Sequence, residues 1–298
     1  MTKYKLKIVL ATIFCMQLFH STQAQEIPEE TSLSKKEIRR QIPSYINLQF
    51  GLGVSYFRDF ATSPLFYSGL TSHTAVSRYK ENQDLFKNYG FSFSSGAYYN
   101  VYNDHEAVSL VRSMSLYYEY LRSINRWLPS SNIDWKVGGT INVTSNLRIN
   151  ESLLNNGVGF EMIPTLFASF RGTKDISRKK EVEKKIWFLK IKKRPKTRSL
   201  TGQFNIGLVN SQYRNGFAYA DQSALLNDPK IFGGYEFKVF SGIRAMGSFQ
   251  YTRYLKNHNA IRYSYTWEAY RTGDRDPLEM VHHVLKMTLL FNTNNKGR

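Results

Sequence analysis

The chain has almost no cysteine: Cys15 stands alone among 298 residues. Without a second thiol there is no intrachain disulfide framework and no thiolate metal site. Long apolar runs are also scarce. The single one, "IVLATIFCMQLF", is about a dozen residues long and contains that cysteine. A membrane-spanning helix needs about 20 such residues, so no stretch qualifies. Acids are few as well, with 23 Asp and Glu against 41 Lys and Arg, a formal charge of +18. Phosphate loops, His-Glu-x-x-His zinc motifs and recognisable nucleophile–histidine spacings are missing too, so we expect no cofactor, no metal site and no enzyme.

The first residues read as an address. Lys3, Lys5 and Lys7 precede the apolar run, and "STQAQ" places small residues around Ala24. This is the pattern of a cleaved secretory signal over 1–24. Its removal takes away three lysines and no acid, which leaves a mature charge of about +15. Export argues against nucleic acid as the partner of that charge. A cysteine-free, Tyr- and Phe-rich exported chain fits a Gram-negative envelope. With no apolar helix, the one way into a membrane is a closed β-barrel.

What the chain has is alternation. In "IDWKVGGTINVTSNLRIN" (133–150), Trp135, Val137, Ile141, Val143 and Leu147 share one face, and Lys136, Thr140, Asn142, Thr144 and Arg148 the other. The same period of two runs through 46–56, 89–101, 108–120, 158–170, 201–210, 235–254, 260–270 and 281–294, and more weakly through 64–79. A period of two is the strand signature. Ordinary strands run about 5–6 residues; tilted membrane strands need about 9–11. The fold class expected is therefore all-β: a transmembrane antiparallel up-and-down barrel over 45–294, of about ten strands, or twelve if "IWFLKIK" is a strand and the long eighth strand splits. Residues 25–44 form a periplasmic N-terminal segment and 295–298 a tail. A soluble sandwich or lipocalin-like barrel explains the alternation but not the strand lengths. Pro164, inside a strand, counts against that strand.

The signal, the long Tyr/Phe-rich strands and a last strand ending near Phe291 before an Asn-rich tail resemble the uncharacterised outer-membrane β-barrel proteins of Bacteroidota. The resemblance is one of architecture and implies residence in the cell outer membrane.

The facing pattern puts charges in the lumen: Lys136, Arg148, Arg171, Lys238, Arg244, Arg262 and Lys286, with Glu119, Asp134, Glu161, Glu236 and Glu268. In a barrel only slightly wider than the eight-strand kind, mixed charges pair and plug the lumen. Between strands six and seven lies a basic segment, inside an insertion over 175–198. It carries Lys179, Lys180, Lys184, Lys185, Lys190, Lys192, Lys193, Arg194, Lys196 and Arg198. With both termini periplasmic, it lies on the periplasmic side. Longer outward loops are expected at 58–68 and 214–231. "NDHE" offers Asp104, His105 and Glu106 in one loop. His282 and His283 point to opposite faces of a strand and cannot chelate one metal.

These readings point to a structural or accessory subunit of an outer-membrane assembly, secretion or uptake complex. Its surroundings would be outer-membrane lipid and lipopolysaccharide. An envelope protein partner, an acidic periplasmic surface or the cell wall would meet the basic segment. A narrow porin-like channel for small anions comes second, and a surface lipid hydrolase third.

Overall fold

The computed structural model describes residues 42–102, 105–129, 132–150, 152–153, 157–187, 189–215, 235–273 and 275–294. The signal segment and the tail, and most of the loop expected at 214–231, lie outside these residues.

Ten strands close a barrel. They are β1 (Ser44–Asp59), β2 (Ser63–Glu81), β3 (Leu85–Tyr102), β4 (His105–Ser123), β5 (Ile133–Ile149), β6 (Val158–Asp175), β9 (Arg198–Asn210), β12 (Ile243–Tyr254), β13 (Ala260–Arg271) and β14 (Leu278–Asn292). Each pairs antiparallel with its sequence neighbour, β6 pairs with β9, and β14 pairs with β1 to complete the ring. Four short strands add to it. β7 (Val182–Ile186) and β8 (Leu189–Lys193) form a hairpin of their own. β10 (Gln212–Asn215) and β11 (Tyr235–Lys238) prolong β9 and β12 at the far rim. The long eighth strand does split, but "IWFLKIK" is not one strand: it holds the hairpin turn at Trp187, with Ile186 ending β7 and Leu189 opening β8, and the barrel wall has ten strands.

Burial decides between the membrane barrel and its soluble rivals. The apolar face points outward: Leu52 is 73% exposed, Leu70 76% and Leu285 68%. The polar face points inward: Lys136 is 1% exposed and Glu161 0%. This inversion, carried around the wall, is that of a barrel standing in lipid. The facing assigned within 133–150 is the observed one. Val137, Ile141 and Leu147 are exposed, and Lys136, Thr140, Asn142, Thr144 and Arg148 are buried.

Two local features bend the regular pattern. Pro164 accepts a hydrogen bond from Ser211 N–H at 2.9 Å. Its nitrogen faces that same edge, where β9 ends and β10 begins. The donor it lacks therefore falls at a break in the ladder, not in a continuous pairing. The second break parts β11 from β12. Phe240 (φ 55°) and Gly242 (φ 80°) turn the chain through the left-handed region, and a Cβ on Gly242 would lie 2.1 Å from Arg271 O.

The first expected loop is far shorter than 58–68. β1 continues to Asp59 and β2 starts at Ser63, so three residues connect them. Asp59 makes this turn, accepting from Ala61 N–H at 3.2 Å and from the Thr62 hydroxyl at 3.1 Å.

Candidate functional site

The inward face is crossed by hydrogen bonds between strands that are not neighbours. At the rim away from the termini, Arg148 on β5 reaches Asp59 on β1 at 2.6 Å and Glu161 on β6 at 3.1 Å. Arg214 on β10 reaches the other oxygen of Asp59 at 2.7 Å. Asn146 donates to Tyr270 on β13 at 2.7 Å and to Glu161 at 3.0 Å. An apolar cluster of Phe57, Tyr67, Tyr98, Val111, Ile163, Leu278 and Met280 packs around them, with Phe57 and Tyr67 stacked at 4.8 Å. Together they form an upper plug.

A lower plug closes the end that carries the termini. Arg171 on β6 meets Glu81 on β2 at 3.3 Å, and Lys136 on β5 meets it at 3.6 Å and Asp134 more closely. Tyr79 donates to Glu81 as well. Tyr45, Tyr79, Phe86, Leu121, Ala260 and Leu290 pack beside this group, and the Arg171 guanidinium lies 4.1 Å over the Phe86 ring. Buried charges are expensive unless paired and hydrogen-bonded, and here both conditions are met by partners from opposite walls.

Between the plugs is a polar chamber of about 220 Å³. Ser, Thr, Asn and Gln side chains make most of its wall, and Glu119, Arg262, Glu268 and Lys286 reach it. Arg244 is held between Glu268 at 2.6 Å and the Thr144 hydroxyl at 2.7 Å. Arg262 donates to the Thr252 hydroxyl at 3.0 Å and lies over the Tyr79 ring.

Of the sequence-derived lumen charges, the structure places Lys136, Arg148, Glu161, Arg171, Arg244, Arg262, Glu268 and Lys286 on the inner wall. Glu236 and Lys238 are a correction. They pair with each other at 3.3 Å with side chains 70% and 46% exposed, on the rim extension β11. The left-handed turn at Phe240 and Gly242 cuts them off from the continuous alternation that put them in the lumen.

The basic segment lies at the end that carries Ser44 and Thr293, since Tyr254 N–H bonds Thr197 O and Thr293 N–H bonds Ser44 O at that rim. β7 and β8 pair in register from Val182↔Lys193 to Ile186↔Leu189, and an Arg178↔Lys196 bridge ties together the two legs that lead to them. Among the described residues the hairpin pairs with no barrel strand. Trp187 at its tip is 87% exposed. Below it, Arg253, Arg198 and Arg178 crowd Lys196, and their repulsion lowers its pKa below the ordinary lysine value. Ser177 N–H donates to the Asp175 carboxylate at 2.8 Å, and the Ser177 hydroxyl donates to Arg198 O at 3.3 Å.

One constellation escaped the sequence reading. His282 Nδ1 lies 2.8 Å from Ser55 Oγ, and Glu268 stands opposite His282 in the β13–β14 ladder. Serine, histidine and carboxylate thus occupy one row across β1, β14 and β13, although 227 positions separate the first two. No spacing rule could detect a row made by barrel closure. Ser55 is fully buried and does not open onto the chamber. His283, outward, bonds the Tyr265 hydroxyl at 2.6 Å, and His73 bonds Gln49 at 3.2 Å. Among the described residues no group of His, Cys, Asp and Glu is arranged to hold a metal. Asp104 lies outside the described residues.

No known protein family matches the sequence, and no curated protein matches it. Solved structures do overlap. The outer membrane protease OmpT from Escherichia coli gives a TM-score of 0.49 at 8% identity, over 89% of this chain and 99% of that one. The translocator domain of the autotransporter NalP from Neisseria meningitidis gives 0.36 at 7%, over 97% and 96%. The Pseudomonas putida toluene transporter TodX gives 0.25 at 8%, over 84% and 89%. At such identities the likeness is one of fold. It nevertheless corrects the expectation that the chain is no enzyme. The first of these proteins is a protease.

Proposed function

We propose that the chain is an outer-membrane anchor and docking subunit of an envelope assembly, one that presents the basic hairpin of residues 178–196 to an acidic partner in the periplasm. The observation that carries this reading is the division of the molecule. The lumen is spent on two bonded plugs, while among the described residues the hairpin at the rim of the termini pairs with no wall strand. The segment's sequence holds eleven Lys and Arg against two Glu between 177 and 198. A two-stranded hairpin by itself is marginal in water, and a surface that covers it supplies what it lacks. Opposite charge gathers the partner and steers its approach. The Tyr- and Phe-rich strands and Asn-rich tail keep the Bacteroidota barrels as the architectural company of this reading.

The test is a pull-down of the tagged chain from native outer membranes in mild detergent, beside a variant with Lys190, Lys192, Lys193 and Arg194 all changed to Glu. A stoichiometric envelope protein held by the wild type and lost from the variant supports docking. An unchanged partner set in the variant sinks it.

The plugs weigh against a constantly open pore. A channel for small anions remains a second reading only through the chamber, which is polar and carries basic groups.

A further inference from the structure

Every basic group of the plugs has an acid. Lys136 and Arg171 share Glu81, Arg148 and Arg214 share Asp59, and Arg244 has Glu268. Two lumen cations differ. Among the described residues, neither Lys286 nor Arg262 has a carboxylate within ion-pair distance, and Lys286 has no hydrogen-bond partner. Both line the chamber from adjacent strands, since Arg262 pairs with Thr288 and Ser264 with Lys286. Among the described residues one carboxylate lining the chamber, from β4, lacks a cation within ion-pair distance: Glu119, which accepts from Asn88 at 2.6 Å and Gln203 at 2.7 Å. Two unmatched cations against one unmatched acid leave the chamber with one positive charge too many, in a barrel surrounded by lipid. A charge so placed calls for a counter-charge.

The wall is prepared for one. Arg262 is fixed by its Nε–H to Thr252 and by the Tyr79 ring beneath it, which leaves its terminal N–H groups for an acceptor. The Ser264 and Thr288 hydroxyls lie between Arg262 and Lys286 in the ladder. Elsewhere on the wall, the side-chain oxygens of Asn47, Asn88 and Gln250 are buried with no donor. The chamber's 220 Å³ is space for about seven waters, enough for a small anion and part of its shell.

We propose that the chamber is a binding site for one small anion of carboxylate or phosphate chemistry, held between Lys286 and Arg262. This goes beyond the docking reading and does not depend on it.

The chain is refolded into detergent micelles with [14C]acetate or [32P]phosphate, then desalted into buffer without the anion, and label is counted per folded barrel. The wild type is expected to keep about one anion per barrel, the number that balances the charge. The label that stays tells carboxylate from phosphate. Lys286→Met combined with Arg262→Gln should lose the label about tenfold or more, and Lys286→Arg should keep it, since it preserves the charge. Folding of each variant is read separately from its heat-dependent gel mobility, and counts are taken on folded protein only. A wild type that keeps neither label, or a double variant that keeps as much as the wild type, overturns the proposal.

Discussion

Asp59 holds two arginines at once, Arg148 through one carboxylate oxygen at 2.6 Å and Arg214 through the other at 2.7 Å. The same carboxylate shapes the turn between β1 and β2. Removing it strands two buried guanidiniums and loosens a turn. Asp59→Ala should cost about 3–5 kcal/mol, as for other buried pairs broken on one side. Denaturant unfolding in detergent measures this. An unmoved midpoint would show that the upper plug does not hold the barrel.

The plugs act in series, so opening one should leave the lumen shut. In planar bilayers the wild type, Arg148→Ala and Arg171→Ala are each expected to be silent, and the double variant to conduct. Steady current from either single variant would show that the other plug is no barrier.

Ile141 stands on the lipid face at 53% exposure. Ile141→Arg should cost about 2–4 kcal/mol if it lies near the bilayer midplane. Ser94→Gln, which adds bulk toward the chamber, should fold as the wild type does. Equal yields of folded barrel for the two would reverse the facing assignment.

Gly242 combines a left-handed backbone with a close approach to Arg271 O. Gly242→Ala should destabilise by about 1–3 kcal/mol through strain at that position. A melting temperature equal to the wild type's would mean that the break between β11 and β12 can relax.

Lys196 is crowded by like charges, which lower its pKa. A lysine whose pKa is lower folded than unfolded binds fewer protons in the folded state between those two values, so stability rises with pH across that window. At neutral pH and low salt, Lys196→Met should therefore raise the melting temperature slightly. The gain should vanish at 1 M salt, where screening acts within about 3 Å. A lower melting temperature at low salt would contradict the repulsion.

Strand number and facing were legible because each depends on a period of two, which local sequence displays. Leu147 and Arg148 declare opposite faces by their positions alone. The first loop was misjudged because "SPLFYSG" alternates weakly, and nothing local shows that Asp59 and Ser63 are joined by a tight turn. Glu236 and Lys238 were misplaced because one left-handed turn resets the alternation that put them in the lumen. The contents of the lumen were legible as a set of charges but not as pairs. Arg171 and Glu81 lie 90 positions apart, and Ser55 and His282 lie 227 apart. Which of them meet is fixed by the register of strands wound into a ring, and no window of sequence contains that ring.

The upper plug draws Phe57 from the first strand and Leu278 and Met280 from the last. The lower one draws Tyr45 and Leu290 from the same two strands. Neither stopper is complete unless β14 is paired with β1. The seam between the first and last strands is thus the one joint on which both ends of the lumen depend.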